Sequence, residues 1–437
     1  MVKKHIHGSA ELSPVSPIDP LSTRTGRAHT EDSEAASGRR LSRRALCATV
    51  GTAALGGLAG CNVLGPSTPT APLFSGDWYS FGNGMANTNY VPGGLPEVTE
   101  SDILQPARWL YAPPVVYDGV VYFVGSRRIT AVTPAGDIQW ERRLEAELTG
   151  VPAVDQAREQ LYVPVERSPP DGDTSADRAG VAVLSLGSGD IIDTVSVGGE
   201  HTYGVTPAGN DIYARSATSC VRIAPDGTER WRQSLQPLQY DEINLGDSTA
   251  TQIAPAVTDD AVYVPGQDSL VKLDRDTGQE QWRVRVEHAY AASVIDDAGV
   301  IQTGWEEIVA VDHTGTVRWR RDLQSRAAAA TAPNGDIYVI ANDLHELDPA
   351  TGETTWQTHL SSEGTAAPIV TADSVLVVDG NLRVFRRTTD LGPLASRTRW
   401  ELSLVHAVEY SSPVVANGHI FVSGPAGLIA VQPGQDG

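Results

Sequence analysis

Few side chains in this chain combine the residue type and the spacing that chemistry demands. Cys47, Cys61 and Cys220 lie too far apart in sequence for a thiolate zinc site or a disulfide framework. Asp171, Asp173 and Asp177 place three carboxylates within seven residues, and hard cations take oxygen ligands at such alternating positions. The run lacks the closing Glu and the internal glycine of a calcium loop, so it reads first as a solvated acidic loop and only second as a metal candidate. Cys220, in Ser219-Cys220-Val221, reads as a small buried hydrophobe in a strand. Glu306 and Glu307 fall in a strand pattern and are expected to face solvent and a neighbouring blade's arginine. No Gly-x-Ser-x-Gly elbow, phosphate loop or His-Glu-x-x-His pair occurs. What does recur is polar. Tyr111, Thr149, Tyr203, Gln252, Tyr290, Thr365 and Tyr410 stand just ahead of short apolar runs. Two of these places share a phrase, Glu200-His201-Thr202-Tyr203 and Glu287-His288-Ala289-Tyr290.

The 437 residues carry 54 acids against 33 bases, a formal charge of −21. A nucleic-acid binder needs a basic face to neutralise phosphates, so that class is excluded. Lys3, Lys4 and Lys272 are the only lysines. This Lys-poor, acid-rich balance resembles proteins of salt-loving archaea, where screening makes a large negative charge tolerable.

Residues 1–44 are polar, proline-bearing and without apolar periodicity, and are expected to be disordered. They end in Ser42-Arg43-Arg44-Ala45-Leu46, which resembles the twin-arginine export motif. An apolar run of small residues follows within 45–60. Its 15 residues, at about 1.5 Å each, fall short of a hydrocarbon core of about 30 Å, so it reads as a cleaved signal rather than a permanent span. Leu58-Ala59-Gly60-Cys61 resembles a lipobox, which implies that Cys61 becomes the lipidated N-terminus. Residues 61–75, rich in Pro, Thr and Ser, read as an extended tether.

From about residue 108 onward one pattern repeats eight times. In its cleanest copy, Ala254-Pro255-Ala256-Val257, Ala261-Val262-Tyr263-Val264, Ser269-Leu270-Val271-Lys272-Leu273-Asp274 and Gln281-Trp282-Arg283-Val284 read as four short strands separated by Asp, Gly and Pro. A glycine stands four residues before a tryptophan at Gly136/Trp140, Gly227/Trp231, Gly278/Trp282, Gly315/Trp319 and Gly352/Trp356. The glycine supplies positive φ to a hairpin turn and the tryptophan opens an outer strand. Trp109 and Trp400 hold the same slot without the glycine, and a tryptophan recurring once per repeat is expected to pack between neighbouring sheets. In the second repeat Asp193 stands in the tryptophan slot.

Four-stranded repeats of about 35–50 residues are propeller blades. The expected fold is all-β: an eight-bladed β-propeller over residues 76–434, each blade a four-stranded antiparallel sheet. The last repeat stops after three strands, so closure is expected from an N-terminal strand around Ala107-Arg108-Trp109-Leu110, with Trp109 near Val431. The polar groups ahead of the innermost strands would then ring one mouth of the central channel. Tyr111, His201, Tyr203, Gln252, His288, Tyr290 and Tyr410 form a candidate binding rim; the alternative is that the tyrosines plug a crowded axis.

The repeat, Ala-Pro-x-Val, Val-Tyr-Val, Leu-x-x-Leu-Asp and Thr-Gly-x-x-x-Trp, resembles the quinoprotein-type (PQQ-like) propeller family, including its BamB-like scaffold lipoproteins. Gly76-Asp77-Trp78-Tyr79-Ser80 with Asn87-Thr88-Asn89-Tyr90 resembles the lead-in common in archaeal members, with Asn89 where Gly is usual. The dehydrogenases of this family hold pyrroloquinoline quinone over calcium, with an Asp base and often a disulfide between adjacent cysteines; none of these can be placed here. The expectation is a non-enzymatic, lipid-anchored interaction propeller without cofactor, on the outer face of the cytoplasmic membrane, with an unidentified protein or polar ligand at one propeller face. An archaeon with one membrane would have no outer-membrane barrels to assemble. A quinone-dependent dehydrogenase and a polysaccharide or small-ligand binder are the alternatives.

Overall fold

The computed structural model describes residues 72–95, 98–106, 112–167, 178–238, 253–362, 366–387, 396–404 and 411–433. Blade 4 shows how the repeat folds. Ala256–Val257, Ala261–Gly266, Ser269–Asp274 and Glu280–Arg285 pair antiparallel in chain order. The first two are buried throughout, and only Asp274 at the end of the third is not. The fourth, on the rim, is largely exposed. The sequence follows this gradient, with unbroken apolar runs inside and mixed charge outside.

Eight such sheets form among the described residues. Blades 1 to 7 span 115–143, 147–196, 202–234, 256–285, 294–321, 330–359 and 369–403, and blade 8 comprises 414–433 plus an N-terminal strand. Blade 2 departs from the pattern by an extra short strand, Glu147–Leu148, on Gln160–Glu166.

The wheel closes as expected in kind but with a different strand. Val98–Pro106 runs antiparallel to Gly427–Pro433, pairing Asp102 with Ala430 and Ser101 with Val431. Trp109 lies outside the described residues, and Asp102 holds the register position that Trp282 holds opposite Lys272 in blade 4. No local signal marks this strand, because Val-Thr-Glu-Ser-Asp-Ile-Leu-Gln-Pro lacks a clean alternation and its partner lies more than 300 residues away. Beside it Leu104 approaches the blade 1 turn, its carbonyl oxygen 3.2 Å from where a Cβ on Gly136 would stand.

Trp140, Trp231, Trp282 and Trp319 each lie against the turn glycine of the following blade: Gly189, Gly278, Gly315 and Gly352. Each indole Nε1–H donates to a carbonyl shortly before that glycine, on Leu186, Arg275, His313 and Pro349, at 2.7, 2.9, 3.2 and 3.0 Å. The glycine therefore meets two demands. Gly352 has φ of 71°, and a Cβ there would come within 2.6 Å of the Trp319 ring. Where the motif is broken the contact changes. Trp356 meets the Arg397 guanidinium at 4.6 Å and Phe385 edge-on at 5.6 Å. Trp400 has a buried Nε1–H without a partner among the described residues. Asp193 faces Gly227 of blade 3 in place of an indole, its Oδ2 3.1 Å from the position of a Cβ.

The segment before the closing strand has a role that its sequence did not disclose. Innermost strands offer a free edge to the axis, and buried backbone groups there need partners. Residues 78–91 supply them. The carbonyls of Trp78, Tyr79, Met85, Ala86, Thr88 and Asn89 accept the amides of Val116, Val154, Val257, Ile295, Thr331 and Val370, at the inner strands of blades 1, 2, 4, 5, 6 and 7. Phe74 and Gly76 bond in the same way to Gly418 and Asn417 of blade 8. The folded part thus begins inside the stretch read as tether. The Asn87 amide donates to Ala254 and Ser293 carbonyls at 2.9 and 3.2 Å, and that of Asn89 to Ala329 at 2.9 Å. Asn87 and Asn89 have φ of 55° and 53°, a left-handed conformation that Asn and Gly tolerate best, which accounts for Asn89 where the family has Gly. Phe81 is buried in one cluster with Ala112, Val151, Ala254, Ala291, Ala328 and Ala367, residues that lead into the inner strands of six blades. Small residues let the blades converge, and Phe81 fills what they leave. The belt thus runs along the inner edges of the blades; of the recurring tyrosines Tyr203 and Tyr290 are buried, and Tyr111 and Tyr410 lie outside the described residues.

Candidate functional site: the polar face of the wheel

Because the strands alternate in direction, the loops entering each inner strand share one face with the turns joining second to third strands. The two Glu-His-x-Tyr phrases lie on that face, ahead of blades 3 and 5. In each, the imidazole stacks on the tyrosine two residues on: His201 on Tyr203 with ring centroids 6.3 Å apart and 28° between planes, His288 on Tyr290 at 5.5 Å and 14°. The tyrosines are buried, at 8% and 6% exposure, so their rings support the histidines from beneath and do not form an open rim of hydroxyls.

His201 is held by a carboxylate. Its Nδ1 lies 2.6 Å from Glu166 Oε2, while Arg178 pairs with the other oxygen of Glu166 at 2.7 Å. His288 is held by backbone: its amide donates to Asp268 at 3.2 Å, its carbonyl accepts the Trp305 amide at 3.0 Å, and its φ is 50°. Gln267 reaches the Tyr290 hydroxyl at 3.5 Å. The Thr149 hydroxyl donates to the Thr202 carbonyl at 2.7 Å, which ties blade 2 to blade 3. Tyr111, Gln252, Thr365, Tyr410 and the acidic run Asp171, Asp173, Asp177 lie outside the described residues, as do Arg43, Arg44, Leu58, Ala59, Gly60 and Cys61.

Beside His288 a cleft of about 680 Å³ opens between blades 4 and 5, lined by Arg285, Glu287, Glu306, Glu307, Arg320 and Asp322 among others. Glu306 and Glu307 are not in a strand as expected: they sit in the turn between Gly299–Thr303 and Ile308–Val311. The arginine that Glu307 meets, Arg320 at 2.8 Å, belongs to its own blade. The Glu307 carboxylate also accepts the Glu287 amide at 3.1 Å, and Arg320 reaches across to the Arg285 carbonyl at 2.8 Å. Trp305 carries the Arg326 guanidinium 3.8 Å from its ring centroid. The sequence signal for this cleft was the charge at the upper ends of the outer strands, visible in Arg285 and Arg320 but unreadable without their neighbours.

The donor set bears on the cofactor that quinoprotein relatives use. Calcium takes six to eight oxygen ligands, carboxylates prominent among them. Among the described residues no three His, Cys, Asp or Glu side chains converge, and Phe81 shares a core cluster with small apolar residues that lead into the inner strands. Cys220 is fully buried, and burial pushes its thiol up to about 12, away from nucleophilic chemistry. These residues do not fit a quinone seated on calcium.

A family model described as outer membrane protein assembly factor BamB (PQQ_2) matches residues 216–322 and 304–435. Proteins named outer membrane protein assembly factor BamB are similar to the chain: that of Nitrosomonas eutropha is 28% identical over 28% of this chain and 32% of its own length. That of Salmonella typhimurium is 26% identical over 58% of this chain and 70% of its own. The chain thus spans about a third of the first of these relatives. BamB from Moraxella catarrhalis superposes with a TM-score of 0.60 at 15% identity, covering 77% of this chain and 99% of that structure. Quinohemoprotein alcohol dehydrogenase from Comamonas testosteroni also gives 0.60, at 14% identity over 83% and 81%. At such identities the likeness is one of fold alone.

Proposed function

Since the chain belongs to the BamB-like family of PQQ-like propellers, we propose that it is an exported, lipid-anchored scaffold that binds another protein at its surface and does not transform a substrate. The observation that carries this reading is the hub. The belt bonds along the inner strands of six blades and Phe81 shares a core cluster with the residues that lead into them, which favours recognition at the outer surfaces. Of these, the polar face offers fixed imidazoles, ion-paired carboxylates and a cleft, features suited to selecting a partner's charge and shape.

Arg43, Arg44 and the Leu58-Ala59-Gly60-Cys61 sequence support export and anchoring. The relatives are named for outer membrane assembly; the acid-rich, Lys-poor composition favours the outer face of a cytoplasmic membrane and a different partner. Photo-crosslinking residues at His201 and Glu306, compared with one at Asp297 on the opposite face, test the reading in intact membranes. A discrete adduct with one protein from the polar face alone is expected. No adduct, together with quinone- and calcium-dependent dye reduction by the purified protein, would establish the enzyme instead.

A further inference from the structure

The blades repeat, so a register position can be compared around the wheel. The residue two places before the tryptophan, opposite the third strand, is Glu229 in blade 3, Glu280 in blade 4, half-buried Val317 in blade 5, Thr354 in blade 6 and Thr398 in blade 7. In blades 1 and 2 it is Ile138 and Ile191. Both are about half exposed, at 53% and 49%, and Ile192 beside the latter is 55% exposed. Ile103 on the closing strand of blade 8 and Leu73, next to the Phe74 that bonds to blade 8, are exposed to a similar degree. Of six large apolar side chains left exposed among the described residues, five therefore fall in one sector, blades 8, 1 and 2. The sixth, Met85, is in the belt.

The chain also enters the fold in this sector. Phe74 and Gly76 bond to the first turn of blade 8 at Gly418 and Asn417, at 2.8 and 3.0 Å. That turn lies on the same face as the turns that precede Ile138 and Ile191, opposite the histidine face. Ten residues lie between Cys61 and Pro72, a covalent reach of at most roughly 40 Å. An acyl chain on Cys61 would hold the entry sector nearest the bilayer.

We propose that the turn-side edge of blades 8, 1 and 2 is a lipid-contacting surface, with Leu73, Ile138, Ile191 and Ile192 seated at the headgroup boundary and the histidine face turned away toward its partner. This rests on the reading of Cys61 as the anchor. Exposed single side chains spaced along an edge, without an enclosing groove, suit an interface that is fluid and apolar just below its surface.

The full-length lipoprotein in phosphatidylcholine vesicles with brominated acyl chains tests it. In a Cys47→Ser background, fluorophores are placed by Ile138→Cys, Ile192→Cys and, in blade 5, Asp297→Cys; Cys220 is buried and does not label. Bromolipid quenching at 138 and 192 is expected to exceed that at 297 at least threefold. Equal quenching at all three, in vesicles that the protein floats with, overturns the proposal. Shielding from aqueous iodide at 138 and 192 without bromolipid quenching overturns it too, in favour of a protein contact. Flotation of wild type against Cys61→Ser reads the anchor separately: if wild type does not float, the anchor fails and the surface assigned from it falls for that reason. Hydrogen exchange of residues 136–142 and 187–196 with and without vesicles needs no substitution; slowing in both segments is expected, and no change contradicts the proposal.

Discussion

The indole of Trp319 lies against Gly352 of the next blade, and a Cβ on that glycine would come within 2.6 Å of the ring. With its Nε1–H bonded to the Pro349 carbonyl, this tryptophan is a buried peg between two sheets. Trp319→Ala is expected to cost about 3–5 kcal/mol by urea unfolding. Asp193→Ala, in the equivalent slot of blade 2 where no ring is inserted, is expected to fall within about 0.5 kcal/mol of wild type. Equal losses at the two sites would show that the slot is not where the blades are held.

The belt should matter as much as any blade. Phe81→Ala is expected to destabilise by about 3–5 kcal/mol, because the small residues of its cluster belong to different blades and cannot collapse together. Asn87→Gly keeps the left-handed backbone and removes only the amide, leaving the Ala254 and Ser293 carbonyls short of a donor. A loss of about 1–3 kcal/mol is expected by the same measurement. A silent Asn87→Gly would mean that the belt is draped over the hub and not bonded into it.

One histidine gives the fold a pH dependence. His345, buried in blade 6, sets Nε2 against the Ala341 carbonyl and Nδ1 against the Thr354 hydroxyl, an arrangement for the neutral ring. Burial lowers its pKa below the usual imidazole value. The unfolded chain then binds the proton more readily, so stability contributed by the neutral ring is present above about pH 6.5. It is lost as pH falls from there toward the depressed folded value. His345→Gln should flatten that part of the profile when melting temperature is followed from pH 7.5 to 5.

The thiol of Cys220 should be silent in the native protein. It is fully buried with its ionisation pushed up to about 12. A maleimide at pH 7.5 is expected to label this residue only after denaturation, at a rate set by unfolding. Rapid native labelling would place blade 3 in a more open state.

The stacked pairs separate support from recognition. Tyr290 is buried beneath His288, and Tyr290→Ala is expected to cost about 3 kcal/mol of stability. His201 is 41% exposed at its side chain, and His201→Ala is expected to leave melting within about 0.5 kcal/mol of wild type while weakening adduct formation from the polar face. Intact crosslinking in His201→Ala would remove that histidine from the contact.

Much of the wheel was legible because its grammar is local. A glycine four residues before a tryptophan fixes a turn and a strand within one hairpin, and its recurrence counted the blades. The belt was opaque for the opposite reason. Trp78, Asn87 and Asn89 are bonded to residues up to about 280 positions away, and no periodicity marks a segment whose carbonyls at 85, 86, 88 and 89 each meet a different blade. Residue type alone points to Trp109 for the closing strand, whereas the register is set by the free edge of Gly427–Pro433. On the polar face the Glu-His-x-Tyr phrases were visible, but the burial of Tyr203 and Tyr290 was not, since it depends on the loops of adjoining blades.

Closure of the wheel by Val98–Pro106 is tested most directly by amide hydrogen exchange of that segment beside Gly427–Pro433. If the two are one sheet, their bonded amides exchange slowly and together, over minutes to hours, and open only with the blade. Exchange of 98–106 within seconds, while 427–433 stays protected by His419–Gly424 on its other side, would contradict the closed ring and the belt threaded through it.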